Sequence, residues 1–220
     1  MMSYSPEKML ISVHVPKCAG TSFGNWLAGA FGDRLHLHYP NSGPPEPVTT
    51  ANVHCVHGHF FHHQWDISAA CYYPQAKQFI TVLRDPVQMM ISSYFYQCKM
   101  GDAPFATLDR YIEHVLTWPR LFPYIGLPLT YDARLDRDQV EAKFVWLGCV
   151  ERLPQSLDNL AVALNLTSVG SMPRKNGAPR LGVMSDLTPW QSSFREKFRW
   201  EYELYDLAES MNAESARKCN

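Results

Sequence analysis

Met9-Leu10-Ile11-Ser12-Val13-His14-Val15 followed by Pro16-Lys17-Cys18-Ala19-Gly20-Thr21-Ser22 decides the fold. The first seven residues are mostly apolar and rich in β-branched side chains, the composition of a short buried strand. Pro16 to Ser22 break that strand. Phe23, Trp26, Leu27 and Ala30 then recur at spacings of three and four, which predicts a helix over 22–31. Strand, tight loop and helix in that order open an α/β domain. The loop itself is suited to an anion. Gly20 lets the backbone approach a ligand, the helix start beyond it presents unpaired N–H groups, and Lys17, Thr21 and Ser22 add a cation and two hydroxyls. The Walker pattern G-x-x-x-x-G-K-[ST] is absent, because the lysine precedes the glycine. An ordinary strand–helix turn with Ser or Thr as N-cap is the competing reading.

Outward from this unit, the same alternation continues. Val53–Phe60, Phe79–Leu83 and Lys143–Val150 read as strands. Helices are expected from Pro86, over 106–117, and from Pro154. A long last helix is expected from Thr188-Pro189-Trp190-Gln191, a capping-box pattern. Residues 40–50, with four prolines, form a loop. Strands alternating with helices imply a mostly parallel sheet covered on both faces, with ligands bound beyond the carboxyl ends of its strands.

Composition limits the alternatives. The chain has 220 residues, 46% of them apolar, enough for one sizeable core in a single domain over 1–220. Twenty Lys and Arg against 21 Asp and Glu leave a net charge of −1, so nothing in bulk draws the chain to nucleic acid or an anionic membrane. Any basic site must be local. The six cysteines are scattered without a C-x-x-C pair, and no apolar run approaches the roughly 18 residues that cross a bilayer. With a polar start at Met1–Lys8, these features lead us to expect a soluble, reduced, cytoplasmic protein.

A second anion-binding element follows the strand at 79–83. Arg84-Asp85-Pro86 closes that strand, and Ser92 stands eight residues after Arg84 on the following helix. An arginine fork with a serine hydroxyl suits a phosphate monoester. The alternative is an Arg84 that pairs with Asp85 or another carboxylate.

Taken together, the P-K-x-x-G-T-S loop and L-R-D-P-x-x-x-x-x-S-x-Y resemble the sulfotransferases that use 3′-phosphoadenosine 5′-phosphosulfate. Trp146–Arg152 with its Leu-rich helix, Met172-Pro173-Arg174-Lys175-Asn176 and Glu201–Tyr205 extend the likeness over most of residues 9–209. The resemblance implies the sulfotransferase fold, an α/β, P-loop-like, mostly parallel sheet flanked by helices on both faces. It implies that Lys17, Cys18, Ala19, Gly20, Thr21 and Ser22 hold the 5′-phosphosulfate. Arg84 and Ser92 would hold the 3′-phosphate, and Arg174, Lys175 and Asn176 would close over the nucleotide. The chain departs from the pattern at Met89, where many relatives have arginine, and at Ala19, where a second glycine is common.

Five of the nine histidines lie in His54-Cys55-Val56-His57-Gly58-His59-Phe60-Phe61-His62-His63. They could be polar residues ending a strand, a zinc or copper site, or a catalytic base. The H-G-H at 57–59 resembles the pair of the uronyl 2-O-sulfotransferase branch, heparan sulfate 2-O-sulfotransferase among them. That resemblance makes His59 the leading base and His57 an assisting or acceptor-contacting residue. An acceptor hydroxyl must lose its proton as it attacks sulfur, and imidazole is matched to that task near neutral pH. The activity implied is sulfuryl transfer to a saccharide or small-metabolite hydroxyl, with no metal required. The competing readings are a P-loop kinase-like phosphotransferase and a non-catalytic protein that binds metal through the histidines. Residues 100–140 are expected either to face the acceptor as a lid or to pack on the sheet as a helical insertion.

Overall fold

Leu10–Val13 (β1) is buried at every residue, as only a strand covered on both faces can be. The computed structural model describes residues 1–39, 52–60, 69–102, 105–126, 135–166 and 187–218. After β1 come α1 (Gly20–Phe31), β2 (Leu35–His38), β3 (Cys55–Gly58), α2 (Ala69–Tyr72), β4 (Gln78–Leu83) and α3 (Pro86–Met100). The second half contains α4 (Leu108–Val115), α5 (Phe122–Ile125), α6 (Arg137–Lys143), β5 (Phe144–Cys149), α7 (Leu153–Ala163), α8 (Thr188–Lys197) and α9 (Arg199–Lys218). The strands form one sheet of order β2-β3-β1-β4-β5, and every pairing is parallel. β1 is central, with Ser12 beside His57 of β3 on one side and Ile80 of β4 on the other.

The alternation of side chains along the strands divides the core in two. Leu10, Cys55, Ile80 and Trp146 face α1 and α7, meeting Phe23, Trp26, Leu27, Leu157 and Leu160. Ile11, Val13, Val56, Phe79 and Leu83 face the other way, onto a layer that includes Met90, Ile112, Phe194, Tyr202 and Leu204. Chain connections therefore leave β1 and its neighbour β4 for opposite faces, and the crevice this makes at their carboxyl ends is where α/β sheets take ligands.

Several boundaries differ from the sequence reading. Helix α1 begins at Gly20 rather than Ser22. β2 was not anticipated. It is a short edge strand, LHLH, whose approach to β3 is so close that a Cβ at Gly58 would overlap the His38 carbonyl. The expected last helix is two, with a break at Phe198, whose ring packs in the core. Thr188 is not the cap either. Leu187 occupies the N-cap of α8 without a side-chain hydrogen bond, and Gln191 bonds to Asp85 instead. The described part of residues 100–140 packs inward as a helical insertion, with Leu108, Ile112, Leu121, Phe122 and Ile125 all buried.

Two buried carboxylates lock this second layer. Glu201, at the start of α9, accepts from the backbone N–H groups of Arg120 and Leu121 at 2.7 Å and of Phe122 at 3.0 Å, capping α5. Burial raises its carboxyl pKa to about 7 despite those donors. Asp85 caps α3 by accepting from Gln88 N–H at 2.9 Å. Its other oxygen accepts from Gln191 of α8 at 3.1 Å and from the Tyr202 hydroxyl of α9 at 3.0 Å. One side chain thus ties three helices to the end of β4. Asp85→Ala removes the cap and strands two buried donors, so we expect it to lower unfolding free energy by about 2–4 kcal/mol, read from urea denaturation.

Candidate active site

The loop after β1 is held in a conformation that its side chains do not favour. Lys17 and Ala19 both have positive φ, 63° and 57°, in the left-handed region that penalises residues with a Cβ. Ala19 is the N-cap of α1 and provides no side-chain cap, so the turn is not an ordinary Ser- or Thr-capped one. The first helical bond runs from Phe23 N–H to the Ala19 carbonyl, which leaves the amides of Gly20 and Thr21 ahead of the helical ladder. Cys18 turns its side chain into the core, where burial raises the thiol pKa, and its N–H donates to the Val15 carbonyl at 3.2 Å. Strain of this kind persists where the surroundings over-determine it, commonly at binding sites.

Arg84, at the end of β4, reaches across to this loop and donates from Nη1 to the Lys17 carbonyl at 3.2 Å. Its buried Nε has no partner among the described residues, and no described carboxylate forms an ion pair with it. The expected alternative, Arg84 paired with Asp85, is not what the structure shows. Lys17 Nζ lies 3.7 Å from the centre of the Tyr96 ring on α3. Burial and the nearby Arg84 lower the lysine pKa. Ser92 is half-buried on α3, and Met89 is buried in the core instead of facing a ligand. Arg174, Lys175 and Asn176 lie outside the described residues, as do His62 and His63.

The histidines gather around one that the sequence reading passed over. His14, just beyond β1, stacks on His59 with ring centroids 4.2 Å apart and on His57 at 5.3 Å. Tyr39, at the end of β2, shares a 2.9 Å hydrogen bond with His14 Nδ1 and meets His59 edge-on at 5.2 Å. Their convergence depends on the register of three parallel strands, which a linear motif does not display. The position of His14, three residues before Lys17, was the available signal. His57 is fully buried, with Nδ1 bonded to Ser12 Oγ at 2.8 Å and its ring 3.1 Å from where a Cβ at Gly24 would stand. It therefore cannot touch an acceptor at the surface. His59 is half-buried, and its Nδ1 lies 2.8 Å from the His14 carbonyl. A carbonyl only accepts, so neutral His59 carries its proton on Nδ1 and presents a lone pair at Nε2.

Electrostatically the cluster is kept neutral. Burial lowers the imidazole pKa of His14 to about 3, with His59, His57 and Lys17 opposing its charge as well. His57 falls to about 4, and His59 is also lowered, in both mainly through burial. The Tyr39 phenol is pushed up to about 12 by burial, so it keeps its proton. Away from the strand tips, a cavity of about 280 Å³ opens between the start of α3, α8 and α9. Its wall includes Asp85, Asp206, Glu209 and an Arg195 bonded to Asp206 at 2.7 Å, a poor host for an anion. Side-chain chemistry, rather than volume, points to the Lys17–Arg84–His59 region.

No protein-family model matches the chain, and no curated protein matches it in sequence. Solved structures do. A mouse sulfotransferase, SULT7A1, in complex with PAP (3′-phosphoadenosine 5′-phosphate), superposes with a TM-score of 0.56 over 98% of this chain and 91% of its own, at 14% identity. The chain has the sulfotransferase fold. A sulfotransferase from Alicyclobacillus acidocaldarius is also similar, with a TM-score of 0.44, 13% identity, and 86% and 94% of the two chains covered. Within this fold the Lys17 loop follows the central strand, and Arg84 follows the strand beside it.

Two outcomes follow from the geometry. Gly20→Ala would drive a Cβ into the His14 ring, and we expect it to lower unfolding free energy by about 1–3 kcal/mol, read from urea denaturation. The pH dependence of stability has a definite sign. His14, His38 and His57 have folded-state pKa values of about 3, 4 and 4 against an ordinary 6.5, so between those limits the unfolded chain binds more protons. Their contribution is present above pH 6.5 and is lost as pH falls towards 4. Glu201 acts oppositely between 4.5 and about 7, because its folded-state pKa is raised. With three groups against one, the urea midpoint should rise from pH 4 to 6.5, and His57→Gln should flatten the slope.

Proposed function

We propose that this protein is a sulfotransferase that moves the sulfuryl group of 3′-phosphoadenosine 5′-phosphosulfate to an acceptor hydroxyl. The observation that carries this reading is the hydrogen bond from Arg84 to the Lys17 carbonyl, which makes one cleft of the two anion-binding elements. The residues suit the donor. Arg84, whose Nε has no partner among the described residues, suits one phosphate, with Ser92 of α3 joining it by the family resemblance, and Lys17 with the amino end of α1 suits the other. By the family resemblance, Arg174, Lys175 and Asn176 complete the nucleotide site.

His59 is the base. Its Nε2 lone pair takes the proton of the acceptor hydroxyl, and the lowered pKa keeps that lone pair free at neutral pH. The bound donor supplies an activated sulfuryl group and a phosphate leaving group. Lys17 and the amides of Gly20 and Thr21 sit where they can stabilise charge growing on that leaving oxygen. His57 assists from within the core, fixed by Ser12, and packs against His14. The H-G-H likeness to the uronyl 2-O-sulfotransferases favours a saccharide hydroxyl, with a small metabolite as the other acceptor class. Five free cysteines among the described residues agree with a reducing, cytoplasmic setting.

Calorimetry tests the proposal directly. PAP should bind at least tenfold more tightly than ATP with Mg²⁺ or than Zn²⁺, and Arg84→Ala should weaken PAP more than ATP, which lacks the 3′-phosphate. In assays with labelled donor, Lys17→Ala and His59→Ala should each lower turnover by roughly 10²–10³. Preferential binding of Mg²⁺–ATP, or wild-type turnover by both variants, would overturn the assignment.

A further inference from the structure

We infer that His14 is the positioning residue of the base: its ring stack holds the plane of the His59 imidazole, its carbonyl holds the tautomer, and Tyr39 holds His14. This inference rests on the assignment of His59 made above but concerns a residue to which that assignment gives no part. Four contacts converge on the His14 ring. It stacks on His59 at 4.2 Å with 22° between planes, and on His57 at 5.3 Å with 11°. Its Nδ1 shares the 2.9 Å hydrogen bond with Tyr39. Its far edge lies so close over Gly20 that no Cβ fits between them. The same residue's carbonyl receives His59 Nδ1–H. Backbone and side chain of one residue therefore set both the proton position and the plane of the neighbouring imidazole.

Each contact has a distinct consequence. The carbonyl bond fixes which nitrogen of His59 has the lone pair. Stacking removes solvent from one face of His59 and resists rotation about its terminal torsion, which is otherwise broad. The contact with Gly20 sets the distance between the base and the anion-binding loop. Among the described residues, His59 meets the rings of His14, from the chain after β1, and Tyr39, from the end of β2; His57 of β3 interacts with it electrostatically, and Lys17 stands near His14. Packing against neutral rings is the main described contact of this imidazole.

The test reads His59 itself, in the ligand-free protein, by long-range proton–nitrogen NMR on ¹⁵N-histidine-labelled samples. In the wild type His59 should show protonated Nδ1, unprotonated Nε2 and a pKa below 6.5. His14→Ala exposes one face of the ring but keeps the carbonyl, so the pKa should climb by at least half a unit towards 6.5 while the proton stays on Nδ1. His14→Phe keeps a stacking ring and should retain the wild-type tautomer and pKa. A wild-type His59 protonated at Nε2 would overturn the inference, and that measurement stands even if a variant fails to fold. So would an unchanged His59 in His14→Ala, or a His14→Phe indistinguishable from His14→Ala. If the wild type shows the expected tautomer but binds no PAP, the proposed function fails while the role of His14 in setting this imidazole stands.

Discussion

The hydrogen bond from Arg84 to the Lys17 carbonyl joins the tips of β1 and β4, and most of what is distinctive here depends on that junction. Adjacent parallel strands whose following helices lie on opposite faces leave a crevice between their ends. A guanidinium spanning that crevice holds a loop with two positive-φ residues in place and keeps a cation in the gap. Asp85 braces the arginine from behind. By capping α3 and binding Gln191 and Tyr202, it ties the end of β4 to the two carboxyl-terminal helices. Residues a hundred positions away thus fix where Arg84 stands.

Charge is distributed with some economy around this junction. Beside Lys17 and Arg84 lies a group of imidazoles that burial holds neutral. A protonated His14 would be opposed by desolvation, by its neighbouring imidazoles and by Lys17, and the folded state accordingly favours the free base. The same physics that holds these imidazoles neutral makes the fold sensitive to acid. Glu201, buried under three backbone donors on the far side of the layer, shows the converse, a carboxyl held towards its neutral form. In both places it is desolvation that outweighs the other influences.

Much of the architecture was legible in the chain. Runs such as Phe79–Leu83 and Phe144–Cys149 are apolar on both faces, which a parallel sheet between helical layers requires, and the structure buries every residue of both strands. The Pro at the start of α3 marked that helix correctly. The edge strand β2 escaped, because LHLH is half-polar and owes its strand state to pairing with β3 instead of to its own composition. The break at Phe198 escaped for a related reason. It interrupts a continuous helical pattern so that the ring can enter the core.

The amino-acid order by itself determined four of the five strands, the two loops at strand ends and the residue types that suit an anion, because those are written in local periodicity and short spacing. Only the tertiary structure decided which histidine of the pair is buried and which is partly open. His57 and His59 look equivalent in an H-G-H triplet, yet one is sealed between Ser12 and α1 and the other is left half-open on His14. That difference arises from strand register and from the bulk of neighbouring rings, which act across dozens of residues and leave no trace in a linear motif.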